Sequence, residues 1–218
     1  APGNATVGMD GQWGGRTHRW SGGATDDPAN NYYRHFISAG MQLGLATHGD
    51  NPQAQEWLDI FRNQKVAREL IPLLNAKVQG GGSTEGTGYG VSTRTLWTVY
   101  DTWERSTGER LADKTPHTLA SIAQETHTIT PTLDRRAVVG DSTRSVTGEL
   151  HDYNRDYLQQ LIALYPNERL SGVARNVVNN SSVPRMRYDY DYYADVLHGL
   201  PKTQTTPEVD RSALATTY

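Results

Sequence analysis

Apolar positions recur at helical spacing along most of the chain, in paired segments separated by short polar turns. In "NNYYRHFISAGMQLGLATHG", Tyr32, Phe36, Ala39, Leu43 and Ala46 fall on one stripe, which Gly49 ends. The small residues Ala39, Gly40 and Gly44 predict close approach by a neighbouring helix. The next segment restarts at once. Asp50 or Asn51 is placed to cap it, Pro52 suits its first turn, and Trp57, Ile60, Phe61, Gln64, Ala67, Ile71 and Leu74 follow helical spacing. Pro72 is expected to weaken its last turns. So short a connection predicts a helical hairpin.

The same arrangement returns twice. From about Tyr89 to Thr107, Leu96, Val99, Tyr100 and Trp103 share a face, and "GERLADKTPHTLASIAQETH" supplies a return helix with Thr115 as cap and Pro116 in its first turn. A third pair covers Leu150 to Tyr165 and Asn167 to Val178, with a short helix expected near Tyr192 to Leu197. "TLDRRAVVGDSTRSVTGE" reads as loop with room for one brief strand. No strand set large enough for a sheet core appears, so the expected class is all-α, antiparallel helical hairpins forming a partial (α/α) toroid. Residues 1–29 form an irregular opening segment, 30–199 the hairpin domain and 200–218 an exit segment.

Composition narrows the chemistry. The 218 residues carry a formal net charge of −3, which gives no bulk attraction to nucleic acid or to anionic membranes. An anionic ligand would have to be met by a local group of arginines. No apolar run approaches the length of a membrane span. With no cysteine, disulfides and thiolate metal sites are excluded. There is no HExxH and no diagnostic cluster of metal ligands. Twelve Tyr and five Trp against two Phe favour side chains with an apolar face and a polar tip, suited to wet clefts and sugar faces as well as to ordinary cores.

Five stretches then take on meaning through their order: "DDPANNYYRHFISAGMQLGLATHGDNP", "GGGSTEGTGYG" opening a helix, "WERSTGE", "VVGDSTRS" and "LPKTQTTPEVDRSALATTY". Together they resemble the helical toroid of heparinase II/III-like polysaccharide lyases, from about Gly22 onward. The resemblance implies β-elimination on a uronic-acid polysaccharide, with no metal or cofactor. It also implies a C-terminal β-sandwich domain in a longer chain, approached by "ALATTY", and a secreted or periplasmic location.

That chemistry needs a group to hold the uronate carboxylate, a base for the C5 proton and an acid for the leaving oxygen. By resemblance, Asn31 holds the carboxylate with Asn30 as its alternate; an Asn at this point also serves as a helix cap. Tyr89 is the implied acid, or an aromatic packed at a helix start. The glycines around it suggest close approach by something bulky, such as a sugar. His35, one turn beyond Asn31, is the candidate base, or a structural histidine. Glu85 shapes the glycine loop or touches substrate. Arg34, Arg94 and Arg144 can bind carboxylates or sulfates. Trp97 stacks on a sugar ring or packs in the core, and Tyr188, in a Tyr- and Asp-rich stretch, lines the cleft or ends an amphipathic segment. In "HDYNRDY", His151, Asp152, Arg155 and Asp156 are expected to be mostly solvated. Two other classes stay open: a glycoside hydrolase, which requires two carboxylates facing a cleft, and a non-catalytic carbohydrate-binding module.

Overall fold

The computed structural model of the chain describes residues 25–141, 148–187 and 207–213. The segment expected to be helical near Tyr192, the site candidate Tyr188, Arg144 and most of the opening and exit segments lie outside them. The described residues are all-α. The helices are α1 (Asn31–Ala46), α2 (Ala54–Asp59), a π-helical run (Ile60–Leu70), α3 (Ile71–Lys77), α4 (Gly90–Thr107), α5 (His117–Thr128), α6 (Asp152–Leu164) and α7 (Arg169–Asn180). Among the described residues β-structure is confined to isolated antiparallel bridges: Gly86 with Gly140, Ile129 with Arg136, and Arg135 with Glu149. None of these helices is long and apolar enough to cross a membrane.

Helix ends fall where local chemistry puts them. Asn51 accepts the Gln53 N–H at 2.9 Å ahead of α2, and Thr115 accepts the His117 N–H at 3.2 Å ahead of α5. Gly108, at φ 78°, closes α4 in the left-handed conformation. Packing then links the elements in series. Helix α1 lies against α2 and α4, α4 against α6, α6 against α7, and α5 against α6 and α7. The expected face of α4 is the observed one, with Leu96, Val99, Tyr100 and Trp103 all buried.

Two stripes differ from expectation. On α1 the buried set is Tyr33, Arg34, Ile37, Ser38, Gly40, Met41 and Gly44, whereas Tyr32 and Leu43 are exposed. Apolar residues lie on both sides of this helix, and the polar Arg34 and Ser38 disguise the side that faces the core. Gly44 does meet a neighbour closely: a Cβ there would stand 2.7 Å from the Leu58 side chain of α2. The second difference is the π run. Its wider turns put Trp57, Phe61, Val66, Leu70 and Leu74 on the buried side, spaced by four or five residues, and leave Gln64 and Ala67 outside. Pro72 follows the run directly, at the start of α3, so the chain passes the proline without stopping.

Helix α6 is buried over most of its described surface, and several of its polar side chains pair with neighbouring helices. Asp156, expected in solvent, is fully buried and accepts from Arg94 Nη1 at 3.0 Å. Gln160 accepts from Thr98 at 2.9 Å, and Asn154 donates to Glu125 at 2.8 Å. A buried polar group without such a partner is costly, so these pairs fix the register of α6 against α4 and α5.

Candidate functional site

The starts of α1 and α4 meet at the glycine loop between α3 and α4. Three hydrogen bonds join loop and helices. Thr84 Oγ1 donates to the Ala29 carbonyl at 2.5 Å, Ser92 Oγ to the Asn31 carbonyl at 3.2 Å, and Asn31 Nδ2 to Glu85 Oε1 at 2.9 Å. The adjacent asparagines divide the work. Asn30 is the cap of α1, accepting the Tyr32 N–H at 3.0 Å, which leaves the Asn31 amide for Glu85.

The glycines answer a different demand from the one their sequence suggested. At Gly86, φ is 119°, and a Cβ would lie 2.5 Å from the Asp141 nitrogen and 2.6 Å from the Val139 carbonyl. At Gly81, φ is 93° and a Cβ would fall inside the backbone of Ala120 and Ser121. At these two glycines protein backbone makes the close approach, whereas at Gly90, beside Tyr89, a Cβ would meet the Tyr153 ring at 3.5 Å. The loop is held to the 139–141 segment by Thr87 N–H to Val139 at 2.9 Å and Asp141 N–H to Glu85 at 2.9 Å. It is held to α5 by His117 Nε2 on the Gly82 carbonyl at 3.0 Å and Ser121 Oγ on the Gly81 carbonyl at 3.0 Å. Because Nε2 donates, the His117 imidazole is the neutral Nε2–H tautomer, and burial pushes its pKa down to about 4.

Tyr89 ends a short 3₁₀ turn, Thr87–Tyr89, and leads directly into α4 with its side chain half-buried. Its carbonyl accepts from Thr93 Oγ1 at 3.2 Å, and Thr93 Oγ1 in turn accepts from Arg34 Nη1 at 2.6 Å. Arg34 is wholly buried, and desolvation lowers its pKa against an opposing attraction from Glu85. His35 keeps an exposed edge, with Nδ1 3.5 Å from Thr95 Oγ1. Partial burial, then Arg34 and Arg94, push its pKa below the usual histidine value, which keeps the imidazole neutral and able to accept a proton.

Asn31, Glu85, Arg34 and the backbone of Tyr89 are thus brought close together, with His35 a turn further along α1. Arg94 and Trp97 are not in that group. Arg94 faces the buried Asp156. Trp97 is fully buried, edge-on to Tyr157 at 5.5 Å and tilted against Tyr100 at 6.1 Å and His117 at 5.8 Å. Its faces are taken by protein, so the sugar-stacking expectation gives way to core packing.

Beside this group lies a cavity of about 220 Å³, walled by the glycine loop, Thr93, Glu125, Val139 and Tyr157. Glu125 had no motif to mark it. Burial raises its pKa, opposed by Arg136 and by the Asn154 hydrogen bond, and Arg136 Nη1 stands 3.8 Å away. Arg136 also donates to Tyr153 OH at 2.6 Å. One signal was available in the sequence: His117, Ser121 and Glu125 recur every fourth residue on α5, a polar stripe that proves to be buried. A second cavity, about 460 Å³, sits at the other end of α4, but its polar groups bond one another, as in Arg62 with Glu109 at 2.6 Å and Trp103 Nε1 with Glu109 at 2.9 Å. Among the described residues no three His, Asp or Glu side chains come together as metal ligands would. In comparisons with known proteins, no family model matches the chain, and no curated protein or solved structure matches it.

Proposed function

We propose that the chain is the helical part of a polysaccharide lyase that cleaves a uronic-acid-containing polysaccharide by β-elimination, its helix pairs forming part of an (α/α) toroid. The observation that carries this reading is the 2.9 Å bond from Asn31 Nδ2 to Glu85 Oε1. It joins the two stretches, "NNYY" and "EGTGYG", on which the proposed chemistry depends, although they stand 54 residues apart. The serial packing of α1, α4 and α6, with α2 against α1 and with α7 and α5 against α6, supports such an arc.

In this scheme Glu85 takes one N–H of the Asn31 amide and orients the other toward the substrate carboxylate. Holding that carboxylate stabilises the enolate-like charge that develops when the C5 proton leaves. The neutral imidazole of His35 accepts that proton. The electron pair of the C5–H bond forms the C4=C5 double bond, the C4–O bond breaks, and the phenol of Tyr89 protonates the departing oxygen. No water is consumed. A hydrolase reading is less well supported, because among the described residues Glu125 alone brings a carboxyl to the cavity wall and hydrolysis needs a pair.

The test is a panel of uronate polysaccharides incubated with the full-length protein while near-ultraviolet absorbance is followed. The unsaturated product should accumulate with one or more of them, and Tyr89→Phe should reduce its rate by about 10²-fold or more. New reducing ends without new absorbance, or full turnover by Tyr89→Phe, would sink the proposal.

A further inference from the structure

The 220 Å³ cavity is walled in part by hydrogen-bonding groups that the fold does not use. Glu125, 5% exposed, lies in that wall, with its Oε1 accepting from Asn154 Nδ2 at 2.8 Å and standing 3.8 Å from Arg136 Nη1. Among the described residues Glu125 Oε2 takes no hydrogen bond, and neither does the amide of Gln124, its neighbour on α5 and in the wall. Ser83, in the glycine loop, accepts the Glu85 N–H at 3.3 Å and keeps its own proton to give. The cavity reaches the surface at Val139, which is 63% exposed, and Ser83, Thr87 and Gln124 are half-buried in its wall. The route from solvent to Glu125 is therefore the cavity itself.

These groups select for an uncharged ligand. Among the described residues no Lys or Arg lines the cavity, so an acidic ligand finds no cation there. A cationic ligand needs Glu125 ionised, which burial opposes, and Arg136 already balances that charge. A hydroxyl suits Glu125 in either form, donating to the carboxylate or accepting from the acid. The Gln124 amide and the Ser83 hydroxyl meet hydroxyls equally well. The volume falls below the roughly 300–1,000 Å³ of sites for drug-sized ligands and suits one sugar ring. We propose that this cavity is a binding site for a single uncharged sugar ring, whose hydroxyls bond Glu125 Oε2, the Gln124 amide and Ser83 Oγ. The site stands without the elimination reading. Its role as the subsite for a neutral sugar beside the cleaved bond rests on that reading, since the wall residues Thr87 and Gly90 lie on either side of Tyr89 in the chain.

The test titrates the full-length protein at constant ionic strength with four neutral sugars: glucose, galactose, mannose and N-acetylglucosamine. Cationic glucosamine, anionic glucuronate and glycerol are the controls, and binding is read by calorimetry and by the NMR shifts of backbone amides. At least one neutral sugar should bind saturably, with a millimolar Kd, and move the amides of Gly82, Thr87 and Gln124. Gln124→Ala should weaken that binding about five- to tenfold and leave the ligand-free Tm unchanged, since its amide bonds nothing in the fold. Glu125→Gln, which keeps the shape and an acceptor for Asn154, should weaken it by a similar factor. If Glu125→Gln does not fold, the Gln124→Ala titration decides. No saturable binding of any neutral sugar would mean that water satisfies these groups, and would overturn the site. Shifts confined to other parts of the chain, or wild-type affinity in both variants, would overturn it as well. So would glycerol, glucosamine or glucuronate binding as tightly as the best neutral sugar. Neutral-sugar binding without absorbing product from any uronate polysaccharide would keep the site and sink its subsite role together with the elimination reading. Absorbing product without neutral-sugar binding would sink this inference alone.

Discussion

His117 ties the glycine loop to the core, and its titration should make the whole site sensitive to acid. Its Nε2–H donates to the Gly82 carbonyl at 3.0 Å from a fully buried ring. Burial lowers its pKa to about 4, against about 6.5 in an unfolded chain. Between those values the unfolded state binds more protons than the folded one, so stability rises with pH across that window. The stabilisation is fully present above about pH 6.5 and is lost as pH falls toward 4. A difference of some 2.5 pKa units corresponds to about 3 kcal/mol. Urea denaturation between about pH 7 and pH 4.5 measures it, with His117→Gln as the reference, since glutamine can still donate to Gly82 but cannot titrate. The wild type should lose more stability than His117→Gln on acidification. Glu125 and the other carboxyls titrate in both proteins and cancel in the difference. Parallel pH profiles would refute the argument that a neutral, buried imidazole holds the loop.

Two further substitutions test the packing that positions the site. Gly86→Ala forces a Cβ against the backbone of residues 139–141 at a φ of 119°, and should cost about 2–4 kcal/mol through strain and lost loop hydrogen bonds. The Thr87 and Asp141 amides should exchange faster; an unchanged Tm would show that the glycine is not needed for that contact. Asp156→Ala removes the buried carboxylate facing Arg94 and should cost about 3–5 kcal/mol in equilibrium unfolding. A loss of less than about 1 kcal/mol would mean the pair behaves as a surface ion pair does.

The helices were legible because their ends carry local signals. Asn51, Thr115 and Gly108 mark boundaries that depend on a few adjacent residues, and Leu96, Val99, Tyr100 and Trp103 keep an apolar face on α4 from its second turn onward. Where tertiary contacts decide, the sequence misleads. The buried side of α1 contains Arg34 and Ser38, so periodicity favours the wrong flank. The π run shifts the phase of the second helix by changing the residues per turn, which a fixed helical period cannot follow. In the glycine loop, Gly81 and Gly86 serve contacts with α5 and with residues 139–141, which are invisible locally. Asp156 sits on α6 among residues that would suit a surface equally well; only the neighbouring helices bury it. Glu125 was overlooked for the same reason. The polar stripe on α5 was readable, but its burial was not.

The most direct measurement of the central claim is the mass of the oligosaccharides released from a uronate polysaccharide by the full-length protein. Elimination moves no water into the product, so each new non-reducing end should carry an unsaturated uronate lighter by one water molecule than its hydrolytic counterpart, and this species should be nearly absent with Tyr89→Phe. Fully hydrated ends that incorporate labelled oxygen from the solvent would contradict the assignment of Asn31, His35 and Tyr89 to an elimination.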